Sequence, residues 1–407
     1  MLVLGIFSSC DNSSQKRIVI WTSCAEFAQY TELFNKTHPG SNAVIVYKEN
    51  PANELPPAKD ELAPDIVVGS WLRTEKTGKY FETLDYLFDR QLLSSGMFYE
   101  QLLDSGKSKK TQYLLPVSFN LPAIIFSKDN SSFVKDNYTL TLEQLKTASA
   151  SFNEKNKKGN FTKMGFVPST SNDFLYLTTK LYGVDFKEEK NQIVWNNYRL
   201  QNAVDFDKKW VVENNESADA EHNFAYKYLF MPDYRQVTSG RTLFAYTTSD
   251  SLFKNMRDQE LNIDFRWISG GDFIPIEDSF TMMGIYKKSQ NQPGATEFIT
   301  WFFDSENQKQ ILEHKVELNL TNERFGIADG FSSIRDVTEH VLPSYYEELL
   351  TNLPPSQMLK VPQCLPAKWN SYKSVVVEPY LSTAVTTEDT VSIGEYEAEW
   401  NKKVFDN

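Results

Sequence analysis

The sequence predicts an α/β fold divided between two domains, on three observations. Strand, helix and strand patterns alternate from residue 17 to residue 69, the order that builds a largely parallel sheet flanked by helices. Strand patterns return after residue 240, beyond a long helical stretch. At 407 residues the chain also exceeds the roughly 250–300 residues at which one hydrophobic core stops growing.

Taken in order, Arg17-Ile18-Val19-Ile20-Trp21-Thr22 is a short apolar run and reads as a buried strand. Phe27, Tyr30, Leu33 and Phe34 then recur at helical spacing within residues 25–36, and His38-Pro39-Gly40 closes that helix. Residues 43–47 and 64–69 give the second and third strands, either side of a loop rich in proline. Helical patterns follow over residues 78–105, and residues 113–128 form a long β-type stretch with two prolines. Helices are expected over 141–152, 172–182 and 199–212. Strands are expected over 243–246, 265–268 and 281–286. One amphipathic helix carries Phe298, Ile299, Phe302 and Ile311 over 293–313, and the tail from 333 to 407 is mostly helical.

Composition narrows the function classes. Hydrophobic residues make up 41% of the chain, enough for packed cores and too many for global disorder. The formal net charge of −12 repels a polyanion, which argues against nucleic acid as the main partner. The three cysteines (Cys10, Cys24, Cys364) contain no CxxC pair, and the four histidines lie far apart, so the usual local spacings of a zinc site are missing. Cys24 and Cys364 could pair in an exported protein, although two buried thiols are favoured. No apolar run approaches the ~20 residues that span a bilayer.

At the N-terminus the apolar residues 1–7 precede Ser8-Ser9-Cys10-Asp11-Asn12-Ser13-Ser14. Small residues before a cysteine and a polar tether after it resemble the end of a lipoprotein signal peptide, with Cys10 as the lipid-attachment residue. Phe7 stands where that pattern prefers leucine, and no basic residue precedes the apolar run. The alternative is an incidental N-terminus with a spare cysteine.

Several segments stand out together, in this order. They are Ile18-Val19-Ile20-Trp21-Thr22, Leu33-Phe34-Asn35, Ala63-Pro64-Asp65-Ile66-Val67-Val68, and Tyr80-Phe81-Glu82-Thr83-Leu84-Asp85. Further along come Leu115-Pro116, Ala123-Ile124-Ile125-Phe126-Ser127-Lys128, Thr141-Leu142-Glu143-Gln144-Leu145, and Ser239-Gly240-Arg241-Thr242-Leu243-Phe244-Ala245. The last is Ala295-Thr296-Glu297-Phe298-Ile299, followed by Ser305-Glu306-Asn307-Gln308. No single segment is specific, but their order and spacing over roughly 300 residues resemble the maltose-binding-like (family 1) extracellular solute-binding proteins of ABC importers.

The resemblance implies a two-lobed periplasmic-binding-protein-like α/β fold, with interlobe crossover strands near 115–122 and 274–282 and a ligand cleft between the lobes. It divides the chain into a tether (1–15), an N-terminal lobe (16–118 with 282–330), a C-terminal lobe (119–281) and a helical tail (331–407) packing across both. It further implies a non-enzymatic, monomeric protein without a cofactor, exported and lipid-anchored. Such a protein carries a small solute, most readily a sugar, to ABC permease subunits.

In open α/β sheets, ligands sit beyond the carboxyl ends of strands, where helix N-termini point amide donors. With the resemblance, that rule nominates Glu26 after the first strand and Ser70, Trp71 and Arg73 after the third. It also nominates Asn120 at the first crossing, and Ser169, Asn172 and Asp173 opening a helix. Asp250 follows a later strand, and Asp278, beside Glu277, lies on the return crossing. Carboxylates and amides pair with vicinal hydroxyls while an aromatic face covers a sugar ring. Each residue also has a plainer role open to it: Trp71 as core, Asn172 and Asp173 as helix caps, Glu26 and Asp278 as surface carboxylates, and Trp369 of the tail as core.

Other readings fit less well. Gly270-Gly271-Asp272-Phe273 resembles a nucleotide-cyclase signature but lacks its second acid and reads as a turn. Tyr345-Tyr346 resembles the paired tyrosines of ferric-ion-binding relatives, yet lies in the tail after Pro343. There is no phosphate-loop or GxSxG pattern. The rival functions are a sensor or chemoreceptor partner of the same fold, an exported carbohydrate-active enzyme using acids such as Glu277 and Asp278, and an adhesin that has lost its site.

Overall fold

The structure is a computed structural model describing residues 16–134, 138–258, 262–318, 320, 323–389 and 391–405. Cys10 lies outside these residues. The strand β1 (Lys16–Thr22), helix α1 (Phe27–Thr37), β2 (Ser41–Tyr47) and β3 (Ile66–Gly69) form the expected alternation, and β1 pairs in parallel with both β2 and β3. After β4 (Leu115–Phe119) the chain leaves this sheet, and β5 (Pro122–Ser127) opens a second one. That sheet gains β6 (Thr139–Thr141), which leads through α2 (Leu142–Phe152), α3 (Asn172–Leu181), α4 (Asn197–Asn215) and α5 (Ala218–Lys227) to β7 (Phe244–Thr248). The helix α6 (Ser249–Asp258) and β8 (Ile263–Ser269) follow. The chain then returns to the first sheet as β9 (Thr281–Ile285), continues through α7 (Gln292–Phe302) and α8 (Ser305–Glu317), and adds β10 (Phe331–Ser332).

The two sheets run β10-β4-β9-β3-β1-β2 and β7-β5-β8-β6, so the two-lobed architecture with crossing strands is present. The first sheet is mixed, where the sequence suggested a largely parallel one. β9 is antiparallel to β3 and β4, and β10 is antiparallel to β4. The physical reason is connectivity: β9 arrives from the other lobe and enters from the opposite end. The return passage is held by the tail, where Ile274 pairs with Leu359 and Pro275 with Lys360.

Two family-like segments have clear mechanical roles. Asp65, buried just before β3, accepts from the backbone N–H of Val19 (2.8 Å) and Asn291 (2.9 Å) and from the Ser289 hydroxyl (2.6 Å). One carboxylate thereby ties β1 to the segment that leads into α7. Thr141 and Gln144 make a reciprocal capping box at the start of α2.

Local expectations failed where polar chemistry interrupts periodicity. Residues 78–105 hold only short helical turns such as Asp85–Asp89 and Glu100–Ser105. The stretch 113–128 is β-type as expected, and the crossing splits it into two strands in different sheets. The helix expected over 293–313 is two, because Asp304 breaks the run and caps α8 by accepting from the Asn307 N–H. A small hairpin over Lys187–Glu189 and Gln192–Val194 and the helix α5 had no strong apolar period and went unseen.

Candidate functional site

The crossings meet at Asn120. Its backbone oxygen accepts from the Glu277 N–H (2.9 Å) on the return passage. Its side-chain amide donates to the Asp329 carbonyl (2.7 Å), and its Oδ1 accepts from the Ser249 hydroxyl (2.5 Å). Ser249, fully buried at the head of α6, exchanges two further bonds with the Leu121 backbone: its Oγ accepts from the Leu121 N–H, and its N–H donates to the Leu121 carbonyl. One amide thus joins both passages and the turn at Gly326–Gly330.

That turn is strained. Ala328 and Asp329 both adopt left-handed backbone (φ 45° and 56°), a state worth on the order of 1–3 kcal/mol for a residue with a Cβ. The surroundings impose it. Tyr30 Oη accepts from the Ala328 N–H (3.0 Å), Ser118 Oγ donates to the Ala328 carbonyl (3.0 Å), and Asp329 accepts from Arg324 (2.7 Å) and the Phe325 N–H (3.0 Å). Close to this turn sits Glu26, at the start of α1. It is buried, and its Oε1 has no hydrogen-bond partner among the described residues. Burial pushes its carboxyl above the usual range, Lys315 opposes the shift, and Asp329 adds to it.

The loop after β3 behaves differently. Trp71 has φ 64°, is half-buried, and packs against both the core of the first lobe and the cluster that includes Trp369 and Tyr372. Ser70 Oγ donates to the Ser279 carbonyl (2.5 Å). Arg73 turns toward the tail, where its Nη2 donates to the carbonyls of Pro362 (2.9 Å) and Gln363 (3.1 Å).

On the second lobe Tyr246, in β7, is the meeting point. Burial and then the charges of Glu277, Asp173, Asp250 and Asp278 push its phenol well above the ordinary value. Its hydroxyl makes no hydrogen bond among the described residues. Ser171 caps α3 by accepting from the Phe174 N–H, which leaves Asn172 and Asp173 exposed beyond the cap. Both line a cavity of about 430 Å³ together with Tyr246, Tyr228 and Gln236, within the ~300–1,000 Å³ range of small-molecule sites. Asp173 accepts from Lys373 of the tail (2.9 Å).

The adjacent acids on the return passage are in opposite states. Asp278 accepts from Tyr176 (2.5 Å), Lys180 (2.9 Å) and the Trp369 indole (3.1 Å). Burial works against its charge, but Lys180 and these donors carry its carboxyl below the usual range. Glu277 is half-buried with no hydrogen bond to its carboxylate among the described residues; burial raises its pKa, with Lys180 opposing. Glu277 therefore has lone pairs to offer where Asp278 has few.

The sequence-nominated residues thus fall into groups. Asp173 shares a cavity with Tyr246, Asp250 opens the helix that follows β7, and Asp278 is held by Tyr176, Lys180 and Trp369, while Asn120 bonds the Gly326–Gly330 turn and Glu26 lies near it. Ser169 lies elsewhere, its N–H and hydroxyl both donating to the buried Glu221 (3.0 and 2.5 Å). The sequence reading missed Tyr246 and Asp329. For Tyr246 the available signal was its place immediately before Thr247-Thr248-Ser249-Asp250; for Asp329 there was none. Cys24 and Cys364 are thiols: burial raises Cys24 to about 11, and Cys364 donates to the Arg73 carbonyl.

Comparison with known proteins places this geometry in context. The family model "Bacterial extracellular solute-binding protein" matches residues 22–309. Among solved structures, the sugar-binding protein MalE from the phytopathogen Xanthomonas citri superposes with a TM-score of 0.67 at 12% identity, over 96% of this chain and 96% of that one. UspC of M. tuberculosis gives 0.68 at 11% identity, over 94% and 98%. An ABC substrate-binding protein from Listeria monocytogenes in complex with cycloalternan gives 0.62 at 14% identity, over 96% and 99%. No curated protein matches the sequence. The family match covers well over half of the chain, and the crossing strands have the architecture expected of it: the protein belongs to the bacterial extracellular solute-binding proteins.

Proposed function

We propose that this protein captures a carbohydrate in the cleft between two lobes, 16–118 with 282–330 and 119–281, under a tail of residues 331–407. It delivers that solute to the permease of an ABC importer, as an exported, monomeric lipoprotein held to the membrane through Cys10. The observation that carries the reading is the cavity of about 430 Å³ lined by Asn172, Asp173, Tyr228, Gln236 and Tyr246, in a fold whose two crossings Asn120 ties together. Acceptors and hydroxyls at such density suit a ligand rich in vicinal hydroxyls, and Trp71 offers an aromatic face. The sugar-binding description of MalE and the cycloalternan complex support the same ligand class.

Binding to the native state raises stability by RT ln(1 + [L]/Kd), so a thermal-shift screen of mono- and oligosaccharides, amino acids and peptides tests the ligand class. A sugar that raises Tm with saturable calorimetric binding is the expected result. Stabilisation by amino acids or peptides alone would overturn the carbohydrate assignment. For the anchor, a palmitate analogue should label the wild type in its host and spare Cys10→Ser.

A further inference from the structure

A second concave site lies on the first lobe. It encloses about 490 Å³, and Arg73, Lys79, Lys107, Lys287, Ser108 and Tyr113 are among the residues that line it. None of its described lining residues is acidic, although the protein carries a net charge of −12. At its rim Lys107 bonds Asp104 (2.6 Å). Arg73 is half-buried, and among the described residues no carboxylate lies within ion-pair distance of it. Its Nη2 is used on the two tail carbonyls, while Nε and Nη1 make no hydrogen bond among the described residues.

The neighbouring hairpin adds to the charge. Lys107–Ser108 and Thr111–Gln112 pair across a turn made of Lys109 and Lys110, with Lys109 at φ 59°. Two-residue hairpin turns favour Asn-Gly or Asp-Gly because positive φ costs least there. Two lysines at this turn run against the backbone preference and add like-charge repulsion. A counter-charge that visits the groove would relieve both the crowding of cations and the unpaired guanidinium.

We propose that this groove is an anion site, taking a phosphate-type oxyanion carried by a ligand distinct from the solute of the cleft. Arg73 and the lysines supply positive charge, and the hydroxyls of Ser108 and Tyr113 complete the shell. The site is independent of the carbohydrate assignment, since it shares no residue with the group around Tyr246.

The test uses the full chain and inorganic phosphate in calorimetry at low ionic strength, with phosphatidylglycerol and phosphatidylcholine vesicles in a parallel sedimentation arm. Saturable binding of one phosphate, weakened at least tenfold in K107Q/K287Q and unchanged in the distant K157Q/K158Q, is expected. Phosphate binding without vesicle association assigns a soluble ligand; association with phosphatidylglycerol alone, lost in K107Q/K287Q, assigns a lipid headgroup. Phosphate binding that is absent, or equal in the wild type and both double variants, overturns the site.

Discussion

The chemistry of the site rests on single side chains whose neighbours set what they can donate or accept. Tyr246 lines the cavity beside Asp173 with a hydroxyl that has no hydrogen-bond partner among the described residues, so Tyr246→Phe should weaken sugar binding by about 0.5–1.5 kcal/mol, roughly twofold to tenfold. Unfolding free energy should stay within about 0.5 kcal/mol, because no hydrogen bond to a described residue is lost. Calorimetry beside urea denaturation separates the two effects; unchanged affinity would remove Tyr246 from the site. Trp71→Ala should likewise cost about 0.5–1.5 kcal/mol of affinity if its face carries the sugar ring. A large fall in Tm with affinity intact would make Trp71 a packing residue, the plainer role the sequence also left open. Glu221 offers a prediction of the opposite kind, on stability. Burial raises it to about 7 against the donors Asn215 and Ser169, so the folded state favours its protonated form. Its stabilisation is complete below about pH 4.5 and is lost as pH rises toward 7, at about 1.4 kcal/mol per pH unit. The difference in unfolding free energy between wild type and Glu221→Gln, followed from pH 4.5 to 7, should show that slope and then level off.

At the scale of elements, a few polar residues hold the strands and helices in register. Asp65 satisfies two backbone N–H groups and one hydroxyl, and Asp65→Ala would orphan the buried Val19 N–H in β1 and untie Ser289 and Asn291 before α7. The expected destabilisation is at least about 3 kcal/mol, read from chemical denaturation. A loss under 1 kcal/mol would show that the Pro-Asp segment does not pin the strands. Asp304 illustrates why apolar periodicity overran a boundary: Phe298, Ile299, Phe302 and Ile311 continue one stripe, but a side-chain carboxylate at 304 stops one helix and starts another. The same limit hid α5, whose charged residues blur its apolar face.

For the whole molecule, binding and closure form one equilibrium when the contacts are divided between lobes. Small-angle scattering should show a smaller radius of gyration when saturating sugar is present, and none of that change with a sugar that gives no thermal shift. Asn120 is the joint through which both passages communicate. Asn120→Ala removes its bonds to Asp329 and Ser249 and should lower unfolding free energy by about 1–3 kcal/mol. It should also alter the size difference between the free and bound states. An identical difference in the variant would show that Asn120 supports the fold without shaping closure.

The sequence by itself determined the alternation of β1, α1, β2 and β3, the helix start at Thr141, and the family, because apolar period and short-range patterning are local properties. It also nominated Asp173, Asp250 and Asp278 from their places beside strand and helix ends. Tertiary structure decided what those residues face. Arg73 meets carbonyls 289 and 290 residues away, and Asn120 meets Asp329 across 209 residues. Asp278 is consumed by Tyr176, Lys180 and Trp369, while its neighbour Glu277 stays open. A side chain's free lone pairs depend on which distant elements pack against it, and that is settled only when the two lobes and the tail come together.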